Sequence, residues 1–247
     1  MDKRINLIMP MAGKGSRFSS NGFEFPKPLI EINEKPFFYW ATQSIRKFVE
    51  LKNIIFVVLK EHIERFGIDK EIMRYFPEAK IKVISEVLNG AVLTCIEGIK
   101  EINNEHPIIF NDCDHLFISQ SFYNYCNKGG LSNVDGALLT FESNESKFSY
   151  LVCDRHGHVI RTVEKVVISN DAICGTYCFK NKSIFLDSAK EYLRVCNYNE
   201  YFVSGIYNVM AERGKIINKF SVDKHLSFGT PEEYSIALNS NDFEVLL

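Results

Sequence analysis

The sequence lacks any apolar run long enough to cross a membrane. Its 247 residues are 46% hydrophobic, but no segment approaches the ~18 consecutive apolar residues that a transmembrane helix requires. The apolar stretch at residues 5–11 is too short for a secretory signal peptide and leads directly into a glycine-rich segment. We therefore expect a soluble cytoplasmic protein without a membrane partner.

The chain also lacks an excess of charge of either sign. Lys and Arg number 29, Asp and Glu number 31, and the formal net charge is -2. A nucleic-acid-binding domain usually carries a basic excess, so the composition gives no reason to expect a nucleic-acid partner. The balance of charged and apolar residues also excludes collagen-like and wholly disordered classes. The 20 Phe and 11 Tyr are ample material for a hydrophobic core.

Cysteine is present, but never as a Cys-x-x-Cys pair. The count of seven is odd, and the nearest pair, Cys174 and Cys178, lies among apolar residues of a predicted strand. This pattern favours buried free thiols in a reducing compartment over disulfides or a zinc site.

The first half of the chain alternates short apolar runs with helical patterns. Residues 54–59 are apolar at every position, which is typical of a central strand covered on both faces. Strands are predicted at residues 5–10, 53–59, 80–85 and 107–110, and helices at residues 37–49, 62–76 and 91–102. This order gives three βαβ units, whose ligands bind beyond the carboxyl ends of the strands. The loops at residues 11–28 and 111–115 lie at that edge.

The second half indicates a mixed-sheet extension. Strands are predicted at residues 135–141, 150–153, 159–164, 173–179 and 216–222, and helices at residues 182–195 and 201–213. Thr230, Pro231 and Glu233 predict the N-cap, first-turn proline and capping box of a last helix. No linker or repeat separates the halves. The predicted fold is therefore one α/β domain over residues 1–247, a three-layer α/β/α structure with a mainly parallel central mixed sheet and a small β extension.

The most informative segment is the glycine-rich stretch at residues 10–18, which is followed by a Pro-Lys-Pro sequence around Lys27. Glycines directly after a buried strand allow backbone N–H groups to approach an anion. Arg17 and Lys27 add two cations, which suit a polyphosphate better than a monophosphate. Prolines on both sides of Lys27 restrict the backbone that presents its ammonium group.

Two common glycine motifs do not fit this segment. The dinucleotide-binding motif requires a third glycine where Phe18 stands and a helix that begins at once, whereas we predict an extended loop to Pro28. A P-loop requires Ser or Thr after Gly-Lys, but Gly15 follows Lys14. The sequence therefore predicts a phosphate-binding loop of another kind.

Together, Gly13-Lys14-Gly15-Ser16-Arg17 and Pro26-Lys27-Pro28-Leu29 resemble the signature of the sugar-phosphate nucleotidyltransferases. The resemblance implies a GT-A-like fold built on a Rossmann-type half, with nucleotide bound by residues 1–130 and acceptor by residues 131–247. It implies that Arg17 and Lys27 are catalytic cations that stabilise the charge on the nucleotide phosphates. The nucleotide-binding residues implied in this loop are Met11, Ala12, Gly13, Gly15, Ser16, Arg17 and Lys27.

An acidic segment, Asn111-Asp112-Cys113-Asp114-His115, follows the fourth predicted strand. Carboxylates two residues apart at a strand end suit Mg²⁺, while a solvated turn or a helix cap is the alternative. The family carries a metal-binding Asp followed by one polar and two apolar residues. The resemblance thus implies Asp114 as the Mg²⁺ ligand and Asp112 as a second ligand that also binds nucleotide. For His115 we expect a hydrogen-bonded loop histidine, with contact to phosphate or ribose as the alternative.

Three further segments resemble the base and acceptor sides of the family. Glu86, Gly90 and Ala91 correspond to the base pocket, although a simple helix start explains Gly90 nearly as well. The acceptor-binding residues that the resemblance implies are Glu164, Lys165, Gly175 and Tyr177. An exposed ion pair at a strand end is the alternative for Glu164 and Lys165.

One position departs from the family pattern. A metal-binding Asp normally precedes the Gly-Thr of the C-terminal segment, but Ser227 stands there. Either Asp223 or another group replaces that carboxylate, or a second metal is bound differently.

The resemblance implies a Mg²⁺-dependent nucleotidyltransferase that couples an NTP to a phosphorylated acceptor and releases pyrophosphate. The variants around Asp114 and Gly229 most resemble the capsule-locus branch of the family. That branch implies CTP, a phosphoglutamine acceptor and a CDP-glutamine product for capsule or another surface polysaccharide. A sugar 1-phosphate or phosphocholine is the alternative acceptor, and a homo-oligomer is implied by relatives that form dimers or tetramers.

Two alternative functions from other protein classes remain open. A GT-A glycosyltransferase would use Asp112-Cys113-Asp114 to bind a nucleotide sugar, but it has no use for Arg17 and the Pro-Lys-Pro segment. A non-catalytic nucleotide sensor would bind without turnover. Release of pyrophosphate distinguishes the nucleotidyltransferase from both.

Overall fold

The computed structural model describes residues 2–247, which form a nine-stranded mixed sheet and two two-stranded sheets with helices packed around them. The strands are β1 (Ile5–Pro10), β2 (Glu31–Ile32), β3 (Lys35–Pro36), β4 (Leu51–Leu59), β5 (Lys80–Ile84), β6 (Ile108–Asn111), β7 (His115–Ile118), β8 (Gly136–Glu142), β9 (Ser149–Cys153), β10 (Val159–Glu164), β11 (Asp171–Phe179), β12 (Ile217–Ser221) and β13 (Lys224–Ser227). The α-helices are α1 (Ser16–Ser19), α2 (Phe37–Arg46), α3 (Lys60–Phe66), α4 (Ile68–Tyr75), α5 (Ala91–Ile99), α6 (Gln120–Asn127), α7 (Lys182–Val195), α8 (Ile206–Glu212) and α9 (Pro231–Ala237). Short 3₁₀ turns cover Lys27–Leu29, Gly130–Asn133, Val203–Gly205 and Asp242–Leu246.

The parallel part of the main sheet has the order β5-β4-β1-β6. These are the four strands predicted from the apolar runs of the first half, and the prediction is confirmed. Strand β4 is buried from Ile54 to Leu59, as its continuous apolar run requires. Because the four strands are parallel, their carboxyl ends lie along one edge of the sheet.

The antiparallel strand β11 joins the second half of the chain to this sheet. It pairs with β8 on one side and with β6 and β9 on the other, while β10 pairs with β9 and β12 with β8 to extend the sheet further. The register between β11 and β8 shifts between Ile173 and Tyr177. Gly175 lies in this irregularity with φ +82°, a conformation that glycine adopts without strain.

Buried apolar side chains cover both faces of the sheet. On one face Leu7 and Phe56 lie in a cluster with Phe38 of α2 and Ile72 of α4. On the other face a second cluster contains residues of α5, α7 and α8. The predicted three-layer α/β/α architecture with a mainly parallel central mixed sheet is therefore confirmed.

A third cluster joins distant parts of the chain beside the glycine-rich segment. Phe18 packs edge-on against Phe37 of α2, at 5.8 Å between ring centroids, and against Tyr234 of α9, at 6.4 Å. Trp40, Phe228 and the C-terminal 3₁₀ turn complete the cluster. The loop after β1 is thus packed against α2 and against the C-terminal part of the chain.

Several predicted element boundaries were wrong. The segment at residues 11–28 is not extended throughout, because α1 forms one helical turn in it and Lys27 begins a 3₁₀ turn. The helices predicted at residues 37–49 and 91–102 end earlier, and the helix predicted at residues 201–213 is α8 preceded by a 3₁₀ turn. Strands β2, β3, β7 and β13 were not predicted, since they are only two to four residues long.

The helix predicted at residues 62–76 is two helices, α3 and α4. Gly67 separates them with φ +64° and serves as the C-cap of the first and the N-cap of the second. A left-handed residue ends the hydrogen-bonded ladder, and the helical side-chain pattern on either side does not reveal this break.

Within residues 2–247 no helix has the length and apolar character that a membrane crossing requires. All seven cysteines are free thiols, and five of them are buried.

Replacing Gly67 by alanine tests the break between α3 and α4. A Cβ at Gly67 meets only the Lys70 side chain, at 3.8 Å, so the cost comes from the left-handed backbone. We expect Gly67→Ala to lower the free energy of unfolding by about 1–2 kcal/mol, measured by urea denaturation. Gly67→Asn is the matched control and should lose less, because asparagine tolerates this conformation. Equal stability of the alanine variant and the parent would contradict the assigned break.

Candidate active site

The glycine-rich segment leaves the carboxyl end of β1 in a fixed path. The Met11 N–H donates to the Val57 carbonyl at 2.9 Å, and Met11 and Ala12 are buried. Gly15 turns the chain with φ +60° and starts α1, which places Arg17 on the surface. Gly13 and Ser16 are also exposed, so the loop presents its glycines and Arg17 to solvent.

Lys27 and Asp114 connect this loop to the end of β6. The Lys27 Nζ donates to Asp114 Oδ2 at 2.7 Å, with 28% and 22% of the two side chains exposed. Burial opposes charge on both groups, but their mutual attraction outweighs it. The Asp114 carboxylate therefore raises the pKa of Lys27 above its usual range, and the Lys27 ammonium lowers the pKa of Asp114. The structure thus brings together the two loops that the sequence placed at one edge of the sheet.

Asp112 lies beside this pair and against the irregularity in β11. Its N–H donates to the Gly175 carbonyl at 2.9 Å. A Cβ on Gly175 would lie 2.8 Å from Asp112 Oδ2, so only glycine leaves room for this carboxylate. Burial, and after it the charge of Asp114, raises the pKa of Asp112 to about 7.

The two carboxylates fit a Mg²⁺ ion. They supply hard oxygen ligands in one cleft, and a cation there would offset the repulsion that raises the pKa of Asp112. Within residues 2–247 no group of three or more His, Cys, Asp or Glu side chains could enclose a metal. Mg²⁺ is commonly held by one or two carboxylates with phosphate and water oxygens completing its shell, so this sparse donor set suits a metal that arrives with a polyphosphate.

Glu233 organises the opposite side of Asp114. Its Oε2 accepts from the Ser227 hydroxyl at 2.8 Å, the Gly229 N–H at 2.9 Å and the Thr230 N–H at 3.1 Å. Its Oε1 pairs with the Lys147 Nζ at 2.9 Å, and the residue is only 9% exposed. A Cβ on Gly229 would lie 2.4 Å from Asp114 Oδ2. Glu233 therefore holds a glycine directly against the candidate metal ligand.

This arrangement answers the question raised by Ser227. Asp223 does not replace the missing carboxylate, because it accepts from the Gln120 N–H at 2.7 Å at the start of α6 and does not line the cleft. Glu233 is the carboxylate that contacts Ser227. The predicted capping box of α9 is confirmed, since the same Glu233 carboxylate accepts from the Thr230 N–H.

Asp112, Asp114 and Glu233 line a cleft of about 230 Å³. Lys27 is not in its wall and contacts the cleft through its bond to Asp114. The predicted site residues in its wall are Arg17, Ala91, Asp112, Asp114, Glu164, Gly175 and Tyr177. Residues that sequence reasoning did not assign to the site also line it, among them Lys147, Phe148, Phe202, His225 and Glu233. Glycine motifs and paired carboxylates are visible in a sequence, whereas these side chains come from four separate elements and share no spacing that could have predicted their proximity.

Glu164 and Lys165 lie at the end of β10, but in different surroundings. Glu164 accepts hydrogen bonds from the hydroxyls of Ser149 and Ser204, the latter at 3.0 Å, which fixes its carboxylate in the cleft wall. Lys165 has φ +56° and places its Nζ 4.7 Å above the ring of Phe202, which itself lines the cleft. Lys165 is therefore at the rim of the cleft, and its acceptor role stays a prediction.

Of the three residues predicted for the base pocket, only one lines the cleft. Glu86 is exposed and, like Gly90, is absent from the lining, while Ala91 is part of it. Gly90 has φ +95°, and a Cβ there would lie 2.3 Å from the backbone nitrogen of Tyr201. Close backbone packing at the start of α5 thus accounts for Gly90, and its contact with a base stays a prediction.

The expectation for His115 was wrong. His115 begins strand β7 rather than lying in a loop, and neither of its buried ring nitrogens has a hydrogen-bond partner. Its neighbour across the cleft wall is His225 of β13, at 5.6 Å between ring centroids. Burial lowers the pKa of His115 to about 4 and that of His225 well below its usual value.

The fold is the GT-A-like α/β fold that the resemblance implied. The sequence model of the Nucleotidyl transferase family matches residues 5–239. The chain therefore belongs to the Nucleotidyl transferase family.

Individual relatives agree with this family. The chain is 25% identical over 248 residues to D-glycero-alpha-D-manno-heptose 1-phosphate guanylyltransferase from Campylobacter jejuni, covering 96% of this chain and 100% of that protein. It is 28% identical over 127 residues to 2-C-methyl-D-erythritol 4-phosphate cytidylyltransferase from Clostridium tetani, covering 50% of this chain and 49% of the relative. The aligned part is thus about half the length of the Clostridium tetani protein.

The fold is similar to that of the nucleoside-diphosphate-sugar pyrophosphorylase from Vibrio cholerae RC9. The TM-score is 0.82 at 22% sequence identity, and the match covers 95% of this chain and 100% of that structure. The similarity supports the fold that the resemblance implied.

Removing the Glu233 carboxylate tests whether it supports both the fold and the site. Glu233→Ala leaves the Ser227 hydroxyl and the N–H groups of Gly229 and Thr230 without this acceptor. We expect a loss of about 2–4 kcal/mol in the free energy of unfolding, measured by urea denaturation. Glu232→Ala is the matched control and should cost much less, because Glu232 is exposed. Equal losses in the two variants would show that Glu233 is no more than a surface cap.

Proposed function

We propose that the chain is a Mg²⁺-dependent cytidylyltransferase that couples CTP to a phosphorylated acceptor and releases pyrophosphate. The observation that carries the proposal is the Lys27–Asp114 ion pair, whose carboxylate lines one cleft with Arg17 and Asp112. Two cations and two carboxylates at a single cleft are the counter-charges that a magnesium-bound triphosphate requires.

The reaction needs little covalent participation by the protein. An oxygen of the acceptor phosphate attacks the α-phosphorus of the nucleotide, the bond from that phosphorus to the bridging oxygen of the β-phosphate breaks, and pyrophosphate leaves. The attacking oxygen is already anionic near neutral pH, so no general base is required. Positioning and charge stabilisation supply the catalysis, as in phosphoryl transfer generally.

Each charged group then has a defined task. Arg17 and Lys27 offset the negative charge that builds up on the α-phosphate and the leaving pyrophosphate. Asp114 and Asp112 would hold Mg²⁺, which when bound neutralises phosphate charge. Lys27 pairs with Asp114 through the carboxylate oxygen that lies beside Gly229, so the ammonium is already held against this cleft-lining carboxylate before a nucleotide binds.

The acceptor that we propose is phosphoglutamine, which gives CDP-glutamine as a precursor for capsule or another surface polysaccharide. Beyond its phosphate, this acceptor carries an ammonium and a carboxylate. Glu164 in the cleft wall is suited to the ammonium, and Lys147 in the same wall is suited to the carboxylate. A sugar 1-phosphate or phosphocholine is the alternative acceptor.

CTP is the nucleotide that we propose because the capsule-locus resemblance and the cytidylyltransferase relative agree on it. Because another relative is a guanylyltransferase, any test of the function has to compare CTP with other nucleotides. A nucleoside triphosphate substrate also implies that the protein acts in the cytoplasm.

A coupled pyrophosphate assay tests the function directly. CTP, UTP, GTP, ATP and dTTP are each combined with phosphoglutamine, glucose 1-phosphate and phosphocholine in the presence of Mg²⁺. We expect the highest kcat/KM with CTP and phosphoglutamine, and no turnover when EDTA removes the metal. Omitting the acceptor is the control for simple NTP hydrolysis. No pyrophosphate from any pair would refute the proposed function, and a nucleoside diphosphate released from a nucleotide sugar would identify a glycosyltransferase instead.

Substitution of the two cations tests their role. Arg17→Ala or Lys27→Ala should lower kcat/KM by an amount equivalent to about 3–4 kcal/mol, as for other preorganised charges at reacting centres. Lys27→Arg should retain more activity than Lys27→Ala. The matched control is Lys128→Ala, an exposed lysine after α6 that does not line the cleft. Thermal melting identifies any variant that fails to fold, and near-normal rates in both alanine variants would remove the loop from the mechanism.

A further inference from the structure

Two histidine side chains, His115 buried and His225 half-buried, lie side by side in the wall of the cleft, and the proposed chemistry does not use them. His115 begins β7 and His225 lies in β13, and these strands pair antiparallel so that Ser227 is opposite His115. The ring centroids are 5.6 Å apart, and both residues line the cleft.

The nitrogens of this histidine pair lack partners. Nδ1 and Nε2 of His115 and Nε2 of His225 are buried without a hydrogen bond, and His115 is only 3% exposed. A buried polar group without a partner costs free energy, and such groups in native proteins are commonly those that a ligand or water completes.

Aromatic packing holds the two rings in place. His225 stacks on Phe141 at 3.9 Å between centroids and 22° between planes, and His115 stacks on Phe117 at 5.8 Å and 16°. The rings are therefore oriented without engaging their nitrogens. An imidazole fixed in this way is preorganised to donate one hydrogen bond and to accept another.

Two of the carboxylates near the pair already have cationic partners. Asp114 is paired with Lys27, and Glu233 is paired with Lys147. The ring nitrogens of a histidine offer both a donor and an acceptor, so they complement a hydroxyl or an amide, which offers both, better than a phosphate, which offers only acceptors.

The position of the pair indicates which substrate it faces. His115 directly follows Asp114, so it lies next to the place where nucleotide and acceptor phosphates must meet. The same cleft wall continues through Phe148 and Glu164 on the acceptor side.

We propose that His115 and His225 hydrogen-bond to an uncharged polar group, a hydroxyl or an amide, next to the phosphate of the acceptor and so select acceptors that carry one. This inference rests on the proposed function. A sugar 1-phosphate offers hydroxyls, and phosphoglutamine offers the carbonyl and N–H of its phosphorylated amide. Phosphocholine offers neither near its phosphate.

The test measures KM for each substrate separately. In the full-length protein, His115→Phe and His225→Phe keep the ring packing and remove the nitrogens. With phosphoglutamine or glucose 1-phosphate we expect the acceptor KM to rise about tenfold in either variant, the loss of about one hydrogen bond, while the KM of CTP changes less than about twofold. His225→Gln, which restores a donor and an acceptor, should recover part of the loss.

His62→Phe is the matched control. His62 is also a buried histidine with an unpartnered Nδ1, but it lies in α3 and does not line the cleft. This variant should leave both KM values unchanged. Thermal melting checks that each variant folds, and the comparison of acceptors on the parent protein tests selection without any substitution.

The outcomes separate this inference from the function on which it rests. Turnover of phosphocholine as efficient as that of the other acceptors, unchanged acceptor KM in both phenylalanine variants, or equal rises in the KM of acceptor and CTP would each overturn the histidine subsite. Pyrophosphate release by the parent protein would leave the proposed function intact in all three cases. Absence of pyrophosphate with every substrate pair overturns the proposed function and the subsite together.

Discussion

The ion pair between Lys27 and Asp114 is the interaction on which the arrangement of the cleft depends. It joins the end of β6 to a loop that leaves β1, and these elements are 87 residues apart in the chain. Each partner has its own support. Gly15 allows the loop to approach Lys27, Gly229 gives Asp114 room, and Glu233 holds Gly229 in position. Without its partner, either charge would be left in a partly buried site at a considerable cost in free energy.

The sequence predicted those parts of the fold that local physics decides. The apolar run of β4 needs burial on both faces and therefore identifies a central strand, and the Thr230–Glu233 box identifies the start of α9. The positions of Arg17, Lys27, Asp112 and Asp114 at one edge follow from the direction of parallel strands. The break at Gly67 could not be predicted, because glycine inside a helical pattern is compatible with either a continuous helix or a turn.

The site residues that could not be predicted from the sequence escaped prediction for a different reason. Lys147, Phe202, His225 and Glu233 converge from separate elements, and their proximity depends on the pairing of β7 with β13 and on the packing of α9. His115 illustrates the limit most clearly. A histidine after an aspartate suggests a hydrogen-bonded loop, whereas a short strand pairing turns it into a buried group without a partner. The sequence predicted only that Glu233 caps a helix. In the structure its carboxylate caps α9 and also orders the loop beside Asp114.

The shared strand β11 has a consequence for the way such an enzyme would work. Backbone hydrogen bonds join β11 to β6 and β9 on one side and to β8 on the other, so one continuous sheet contains strands from both halves of the chain. The cleft is therefore not a hinge between two bodies, and the span from Asp112 to Tyr177 is set by strand geometry. If the proposed function is correct, this rigid sheet sets the distance between the reacting phosphates. A new acceptor specificity would then evolve through substitutions of side chains in the cleft wall, while the backbone of the sheet stays the same.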